Sequence, residues 1–406
     1  MPKRLLFVDD EPNVLDGLRR SLHGMRKDWE MHFVGGAAAA LQALEQAPYD
    51  AVVSDMRMPV MDGAELLDQV KQGYPDMVRL ILSGQSSREA VYRSIAPAHQ
   101  YLSKPCDPRE LVARLSQAFA MRDLLSNQTL KTVISRLRSI PSLPTLYEEL
   151  TASLRKEDPS LSQIAKIISK DVGMAAKILQ LANSAFVGAS GRVSSLVQGL
   201  SLIGTETVRT LVLSVHVFSQ FDGKSHLAAI LPAIWDHSVA VSSLAQRIAV
   251  CENSSKAMAE ESFTAGLLHD VGKVVLLAEM PREYQAIFEQ GSGSIQDRER
   301  ERLGCTHAEI GAYLMSIWGI PLPLVHAVAF HHHPSEAAET HFSPLTAVHV
   351  ADAIASASDG LALNHDIEMD MSYLDSLGLR EREAVWRGLY TAPAAPQKDL
   401  GLSAKV

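Results

Sequence analysis

Hydrophobic periodicity changes once along this chain, and the change divides it in two. Over residues 1–120, short apolar runs at 5–8, 31–34, 51–54, 79–82 and 101–102 alternate with amphipathic stretches such as 14–25, 37–46 and 64–72. Successive apolar positions read as strands buried on both faces, as in a parallel sheet covered by helices. Repeated β-α units of this kind predict a doubly wound α/β fold with a five-stranded parallel sheet. From residue 140 to about 380 the strand signal is gone. Helical periodicity replaces it at 143–154, 161–168, 173–182, 193–203, 207–218, 233–250, 262–277, 282–290, 307–318, 323–331 and 345–357, with turns marked by Gly and Pro. The expected organisation is an α/β domain at 1–120, a helical linker at 121–139, an all-α domain at 140–380 and a flexible tail at 381–406. In the linker, one long helix starting near Pro108 and a helix followed by a polar stretch at Ser126-Asn127-Gln128 fit equally well.

Composition narrows the function classes. Apolar residues make up 47% of the 406 positions, enough for full cores. A net charge of −9 argues against nucleic acid or an anionic membrane surface as a direct partner. The three cysteines, Cys106, Cys251 and Cys305, show no CxxC spacing, which fits reduced thiols in a reducing compartment. No apolar run approaches the ~20 residues a bilayer span needs, and the apolar run after Arg4 is too short for a signal peptide. A cytoplasmic location is expected.

The first half carries an acidic cluster at strand ends. Asp9 and Asp10 follow the first predicted strand and Asp55 follows the third. In a doubly wound sheet, side chains just past the carboxyl ends of neighbouring strands meet in one crevice. Three carboxylates there repel one another unless a cation sits between them, and Mg²⁺ is the hard cation that prefers such oxygens. With that charge neutralised, one carboxylate can attack a phosphoryl group and form an acyl phosphate. Ser83 and Lys104, at the ends of the fourth and fifth strands, offer a hydroxyl and an ammonium to phosphoryl oxygens.

The stretches Val8-Asp9-Asp10-Glu11, Ser54-Asp55-Met56-Arg57-Met58-Pro59, Met61-Asp62-Gly63, Leu82-Ser83-Gly84 and Tyr101-Leu102-Ser103-Lys104-Pro105 resemble the receiver domain of two-component response regulators. The resemblance implies Asp55 as phosphoacceptor and a Mg²⁺ held by Asp9, Asp10, Asp55 and the carbonyl of Arg57. It implies Ser83 and Lys104 as sensors of the phosphoryl group, Tyr101 as an aromatic switch and a cis Lys104-Pro105 bond. A sensor histidine kinase or phosphotransfer protein is the implied partner, and homodimerisation through the face carrying Tyr101 is expected.

The second half carries a histidine and aspartate series: His237, His269-Asp270, His307, His331-His332 and Asp352. Imidazoles and carboxylates are ligands for borderline and hard divalent metals, here Mn, Fe, Zn or Mg. An adjacent His-Asp pair at a helix end can give two ligands to one metal or bridge two, and inward residues of facing helices build such sites in bundles. Two metals would hold a hydroxide and clamp a phosphate ester, the layout for phosphodiester hydrolysis. A network of His–Asp hydrogen bonds without metal fits the same residues. His216, His226, His333, His341 and His349 read as core or surface histidines.

Together with Ile140-Pro141-Ser142-Leu143-Pro144, Leu181-Ala182-Asn183-Ser184-Ala185, Gly199-Leu200-Ser201-Leu202-Ile203-Gly204, Gly266-Leu267-Leu268-His269-Asp270-Val271-Gly272-Lys273 and Trp318-Gly319-Ile320-Pro321, the series resembles the HD superfamily of metal-dependent phosphohydrolases, and within it the HDOD branch. The resemblance implies His237, His269, Asp270, His307, His331, His332 and Asp352 as metal ligands, with Lys273 close by. Two departures stand out. The cyclic-di-GMP-cleaving branch carries Gly-Tyr-Pro after its paired histidines, where this chain has Ser335-Glu336-Ala337-Ala338. Some of its members carry a Glu one turn before the first histidine, where this chain has Ala233. HDOD domains are regarded as signalling outputs, so the implied role is a phosphorylation-controlled output that binds a downstream signalling protein. The alternative is a regulated metal phosphohydrolase acting on a nucleotide or cyclic dinucleotide.

Overall fold

A computed structural model describes residues 2–74, 77–83, 98–124, 141–142, 144–155, 160–183, 193–205, 208, 219–220, 230–289, 293–337, 339–358 and 367–391. The chain forms two compact units, built chiefly on Met1–Arg138 and on Ser139–Leu179, Val193–Ala312 and Ile320–Val406.

The first unit contains β1 (Lys3–Val8), α1 (Pro12–Ser21), β2 (Trp29–Val34), α2 (Ala37–Gln46), β3 (Ala51–Asp55), α3 (Gly63–Gly73), β4 (Val78–Ser83), β5 (Gln100–Ser103) and α4 (Pro108–Leu124). Its five strands pair in parallel in the order β2-β1-β3-β4-β5. Leu6 and Val8 of β1 enter one core while Leu5 and Phe7 enter the other. Burial on both faces is why the strands read as unbroken apolar runs. The stretch expected as one helix at 14–25 is instead α1 followed by a 3₁₀ turn at His23–Lys27. Gly24, a poor helix former, sits inside that turn. Any continuation of α4 toward residue 137 lies outside the described residues.

The loop between β3 and α3 is tightly specified. Asp62 and Glu65 form a reciprocal capping box at the start of α3. A Cβ at Gly63 would lie 2.1 Å from the Asp55 carbonyl oxygen, so only glycine fits there. Val60 holds a φ of +73° while fully exposed. A left-handed conformation costs a non-glycine residue roughly 1–2 kcal/mol. Val60→Gly is therefore expected to raise receiver stability by about 1 kcal/mol, net of the extra entropy of a glycine chain. A urea titration of wild type against variant checks this, and an unchanged or lower midpoint would refute it.

In the second unit, two-residue strands β6 (Pro141–Ser142) and β7 (Ser219–Gln220) pair in parallel. The rest is helical: α5 (Pro144–Leu154), α6 (Leu161–Ile168), α7 (Val172–Ala182), α8 (Leu196–Ile203), α9 (Ile230–Cys251), α10 (Lys256–Leu268), α11 (Val271–Glu279), α12 (Pro281–Glu289), α13 (Ile295–Leu303), α14 (His307–Ile317), α15 (Leu322–Phe330), α16 (Pro344–Ser358), α17 (Met371–Ser376) and α18 (Glu383–Thr391). The helix expected at 207–218 lies, apart from the buried Val208, outside the described residues, as do His216 and His226.

Helices α9, α10, α15 and α16 pack together as the centre of this unit. The buried stripe of α9 includes Ser238, Ser242, Ala245 and Ala249, small residues that let a neighbour approach closely. Gly266 of α10 takes that place, because a Cβ there would stand 2.8 Å from the Ser242 Cα.

Two expectations are corrected here, and one helix is new. The helix expected at 262–277 is two, α10 and α11, with His269 and Asp270 at the junction. Asp270 takes φ −99° and ψ 14°, off the helical values, which interrupts the run. A tail was expected from 381, yet α18 continues the folded chain to Thr391. Trp386 explains this: it is fully buried, and its indole donates to Glu252 Oε1 at 2.8 Å. The charged helix α13 was not anticipated at all. Among the described residues, no helix is long and apolar enough to cross a membrane.

Candidate functional site

The first unit presents its acidic residues as the topology requires. Strand register places Val8 opposite Ser54, Asp55 opposite Leu82 and Ser83 opposite Ser103, so the carboxyl ends of these strands lie level. Asp9, Asp55 and Ser83 are buried, and Asp10 is exposed. Lys104 bridges the two buried carboxylates, donating to Asp9 Oδ2 at 2.6 Å and to Asp55 Oδ1. Asp9 Oδ1 also accepts from the Glu11 amide at 2.9 Å, and Asp55 Oδ2 from the Arg57 amide at 2.6 Å. Burial works against the Lys104 charge, but hydrogen bonds to Asp55 and Asp9 outweigh it and hold the ammonium pKa above its ordinary value. The Lys104-Pro105 bond is cis. Tyr101 lies on β5, with its side chain outside the described set.

In the second unit, all seven ligand-type residues come together, and the local sequence explains how. His237 projects from α9, His269 and Asp270 from the α10–α11 junction, and His307 from the first position of α14. His331 and His332 follow α15, and Asp352 lies in α16. Two glycines flanking this junction, three residues before His269 and two after Asp270, let it pack. Gly266 admits α9, and Gly272 admits α14: a Cβ at Gly272 would lie 1.9 Å from the His307 carbonyl oxygen.

The donor atoms form two adjoining groups, Asp270 with His307, His331 and His332, and His237 with His269 and Asp352. His237 Nε2 stands 2.9 Å from Asp352 Oδ1, and His269 Nε2 stands 3.4 Å from Asp270 Oδ2. His307 Nε2 lies 3.3 Å from Asp270 Oδ1, and His331 Nε2 lies 3.9 Å from it. Donors about 3–4 Å apart are what an ion with bonds of ~2.1 Å needs around it.

The imidazoles are set for this. His269 Nδ1 bonds the Gly266 carbonyl at 2.6 Å and His331 Nδ1 the Val328 carbonyl at 2.8 Å. A carbonyl can only accept, so Nδ1 carries the proton and Nε2 keeps its lone pair. Burial, with a contribution from His269, pushes His331 down to about 3; burial also lowers His269. His332 falls well below its usual value through burial and the adjacent His331. Burial opposes the charges on Asp270 and Asp352, yet neighbours hold both carboxyls well below the ordinary range: His269 and Lys273 for Asp270, His237 and His269 for Asp352. At His269, His331 and His332 the result is neutral imidazoles facing ionised carboxylates, the protonation states of metal ligands. His307 differs: burial opposes its charge, but Glu299 and Asp270 outweigh it and raise the ring above its ordinary value. Four buried atoms of the cluster have no hydrogen-bond partner: His269 Nε2, Asp270 Oδ1, His331 Nε2 and Asp352 Oδ2. Unmet polar atoms in a core cost free energy and are normally paired. Their convergence fits a cation.

Two residues near the cluster went unassigned or unseen in the sequence. Lys273 is buried and its ammonium bonds Asp270 Oδ2 at 2.7 Å. Glu299 of α13 is fully buried and accepts both the amide and the Nδ1 proton of His307, at 2.9 and 2.7 Å. The signal for Glu299 was its spacing: Ile295, Glu299 and Leu303 share one helical face within an otherwise charged stretch. His349, read as a core or surface histidine, is buried and bonds the His331 carbonyl through Nδ1 at 2.7 Å.

Residues 5–116 match the response regulator receiver domain family, and residues 140–334 match the HDOD domain family. The chain is a response regulator that joins a receiver domain to an HDOD domain. A receiver domain implies an encounter with a histidine kinase or phosphotransfer partner. The chain is similar to an uncharacterized protein of Treponema pallidum, with 25% identity over 293 residues, 70% of this chain and 53% of that one. It is similar to the hydrogenase transcriptional regulatory protein HoxA of Bradyrhizobium diazoefficiens, with 38% identity over 116 residues, 28% of this chain and 23% of that one. It thus spans about half or less of the length of these curated relatives. Among solved structures it is similar to the MmoQ response regulator of Methylococcus capsulatus, with 23% identity, a TM-score of 0.48, and coverage of 61% of this chain and 98% of that one.

Proposed function

We propose that this response regulator accepts a phosphoryl group on Asp55, and that its HDOD domain acts by binding a downstream signalling protein rather than by turnover. In the receiver, an Asp55 carboxylate oxygen attacks the phosphorus of a phosphohistidine; the P–N bond breaks and an acyl phosphate forms. Mg²⁺, when bound, offsets the charge gathered by Asp9, Asp10, Asp55 and the incoming phosphoryl oxygens. Lys104, already on Asp9 and Asp55, is placed to shift one hydrogen bond to a phosphoryl oxygen, and Ser83 lies at the neighbouring strand end. The added charge alters the receiver face that carries Tyr101, where a phosphorylation-dependent homodimer would form.

The observation that favours a binding output is the closure of the histidine and aspartate cluster. His269, Asp270, His307, His331 and Asp352 are each at most 1% exposed. A hydrolytic metal centre keeps a coordination position open to water and substrate, whereas a structural site is closed. His237, His269, Asp270, His307, His331, His332 and Asp352 would then hold a divalent cation that ties α9, the α10–α11 junction, α14, α15 and α16 into one helical unit. Bound there, Mn, Fe, Zn or Mg would supply positive charge to the unpaired donors. The competing hydrolase reading draws on that same complete ligand set.

Metal analysis of the purified protein beside Asp270→Ala tests the proposal, with a nucleotide or cyclic-dinucleotide phosphodiesterase assay on both. The expected result is about one equivalent of divalent metal or more, lost at least ~10-fold in the variant, with no turnover in either. Turnover that disappears with Asp270 would establish the hydrolase reading instead. Metal-free wild type would leave a hydrogen-bonded network.

A further inference from the structure

We propose that α13 clamps the ligand-bearing turns of the cluster and that Glu299 is the residue that positions His307 for a cation. The proposal deepens the metal-site reading and rests on it.

Helix α13, Ile295–Leu303, is rich in charge, yet Ile295, Gln296, Glu299 and Leu303 are buried. Buried carboxylates are costly unless every lone pair is used. Both Glu299 oxygens are used. Oε2 accepts from the His307 amide and the His307 ring, and Oε1 accepts from the Tyr284 hydroxyl at 2.6 Å. Tyr284 comes from α12 and is itself fully buried.

His307 needs this partner for a reason that its fellow ligands do not share. His269 and His331 each close a helix, so the carbonyl three residues earlier, of Gly266 and of Val328, lies within reach of Nδ1. His307 opens α14, and the residues before it are not helical. No carbonyl of a preceding turn can fix its ring, and the carboxylate of α13 stands in that place. By holding Nδ1 and the amide together, Glu299 fixes both the tautomer and the ring direction, which leaves Nε2 facing His332 Nε2 at 3.1 Å and Asp270 Oδ1 at 3.3 Å, two fellow ligands of one group. A carboxylate behind a histidine also raises its strength as a ligand. The same helix reaches the second histidine segment, where Gln296 Oε1 lies 2.9 Å from His333 Nε2. Arg298 anchors α13 to α12 through the Ile287 carbonyl at 2.8 Å.

The test uses the full chain in two arms. In the first, ¹⁵N-histidine NMR of the metal-free wild type reads the His307 ring; Nδ1–H is expected, and a ring protonated only at Nε2 overturns the proposal with no variant needed. In the second, Glu299→Met, similar in length and without an acceptor oxygen, is compared with wild type. Its thioether is at best a weak acceptor for the His307 amide and ring protons. Loss of the Nδ1–H signature and a Co²⁺ affinity, followed by visible absorption, reduced by roughly 10–100-fold are expected. An unaltered His307 signature or an affinity within twofold of wild type overturns it. A wild type that takes up no Co²⁺ sinks the metal reading alone, because the NMR arm still decides whether Glu299 sets His307.

Discussion

Asp55→Asn is expected to abolish phosphorylation while leaving the receiver folded. With Mg²⁺ and acetyl phosphate, wild type should gain one hydroxylamine-sensitive phosphoryl group and bind beryllofluoride. The variant should do neither, with labelling reduced by at least ~10³-fold, as loss of a nucleophile does. The geometry favours this residue over its neighbours. Asp55 ends β3 opposite Leu82, the residue before Ser83, and its Oδ1 is paired with Lys104 while Oδ2 takes the Arg57 amide. Asp9 is the more deeply buried and is held by both Lys104 and the Glu11 amide, which suits it to a cation rather than to attack. Asparagine keeps the size of the side chain and one acceptor for the Arg57 amide, so the fold should survive. Asp9 also remains to pair with Lys104. Mass spectrometry of intact protein measures the modification directly. Equal labelling of wild type and variant would remove Asp55 from the proposal.

What could be read from the sequence follows from how each residue is held. Strands β1, β3 and β4 were legible because both faces are buried, which leaves few polar positions to blur the run; Arg79 of β4 is one, and it is itself buried. Asp9, Asp55, Ser83 and Lys104 were legible because a parallel sheet forces residues beyond its strand ends into one place. The seven residues around Asp270 were legible by type, since imidazoles and carboxylates on predicted helices stand out against apolar neighbours. Their contacts were not, because helical periodicity gives the face of a helix but not the helix it meets. Glu299 was hidden for another reason. A run such as Gln296-Asp297-Arg298-Glu299-Arg300-Glu301-Arg302 looks like a solvated surface, and only the flanking Ile295 and Leu303 show which side turns inward. Trp386 was overlooked because the Ala- and Pro-rich end beyond it suggested a tail, although one indole can dock a short helix by its burial alone.

Gly272→Ala should be the most damaging glycine-to-alanine change among the HDOD glycines whose surroundings are described. The added Cβ would stand 1.9 Å from the His307 carbonyl oxygen, 2.7 Å from its carbon and 3.0 Å from the Gly311 nitrogen. All three are backbone atoms of α14 or its first residue, so no rotamer change relieves the clash. The helices α11 and α14 must separate, and His307 moves away from Asp270 as they do. Overpacking of this kind costs about 3 kcal/mol, the upper end of its usual range. Gly388→Ala is the matched control: it lies in α18, where a Cβ meets nothing within 4 Å. There the change from glycine to alanine should stabilise the helix by roughly 0.5–1 kcal/mol. Urea midpoints of the two variants should therefore move in opposite directions from wild type. If metal is held as proposed, Gly272→Ala should lose it in parallel with stability, because the same displacement that strains the packing parts His307 from Asp270. A Gly272→Ala protein with a wild-type midpoint would show that α11 and α14 do not approach as closely as the His307 contact requires, and the cluster would lose the packing that brings its halves together.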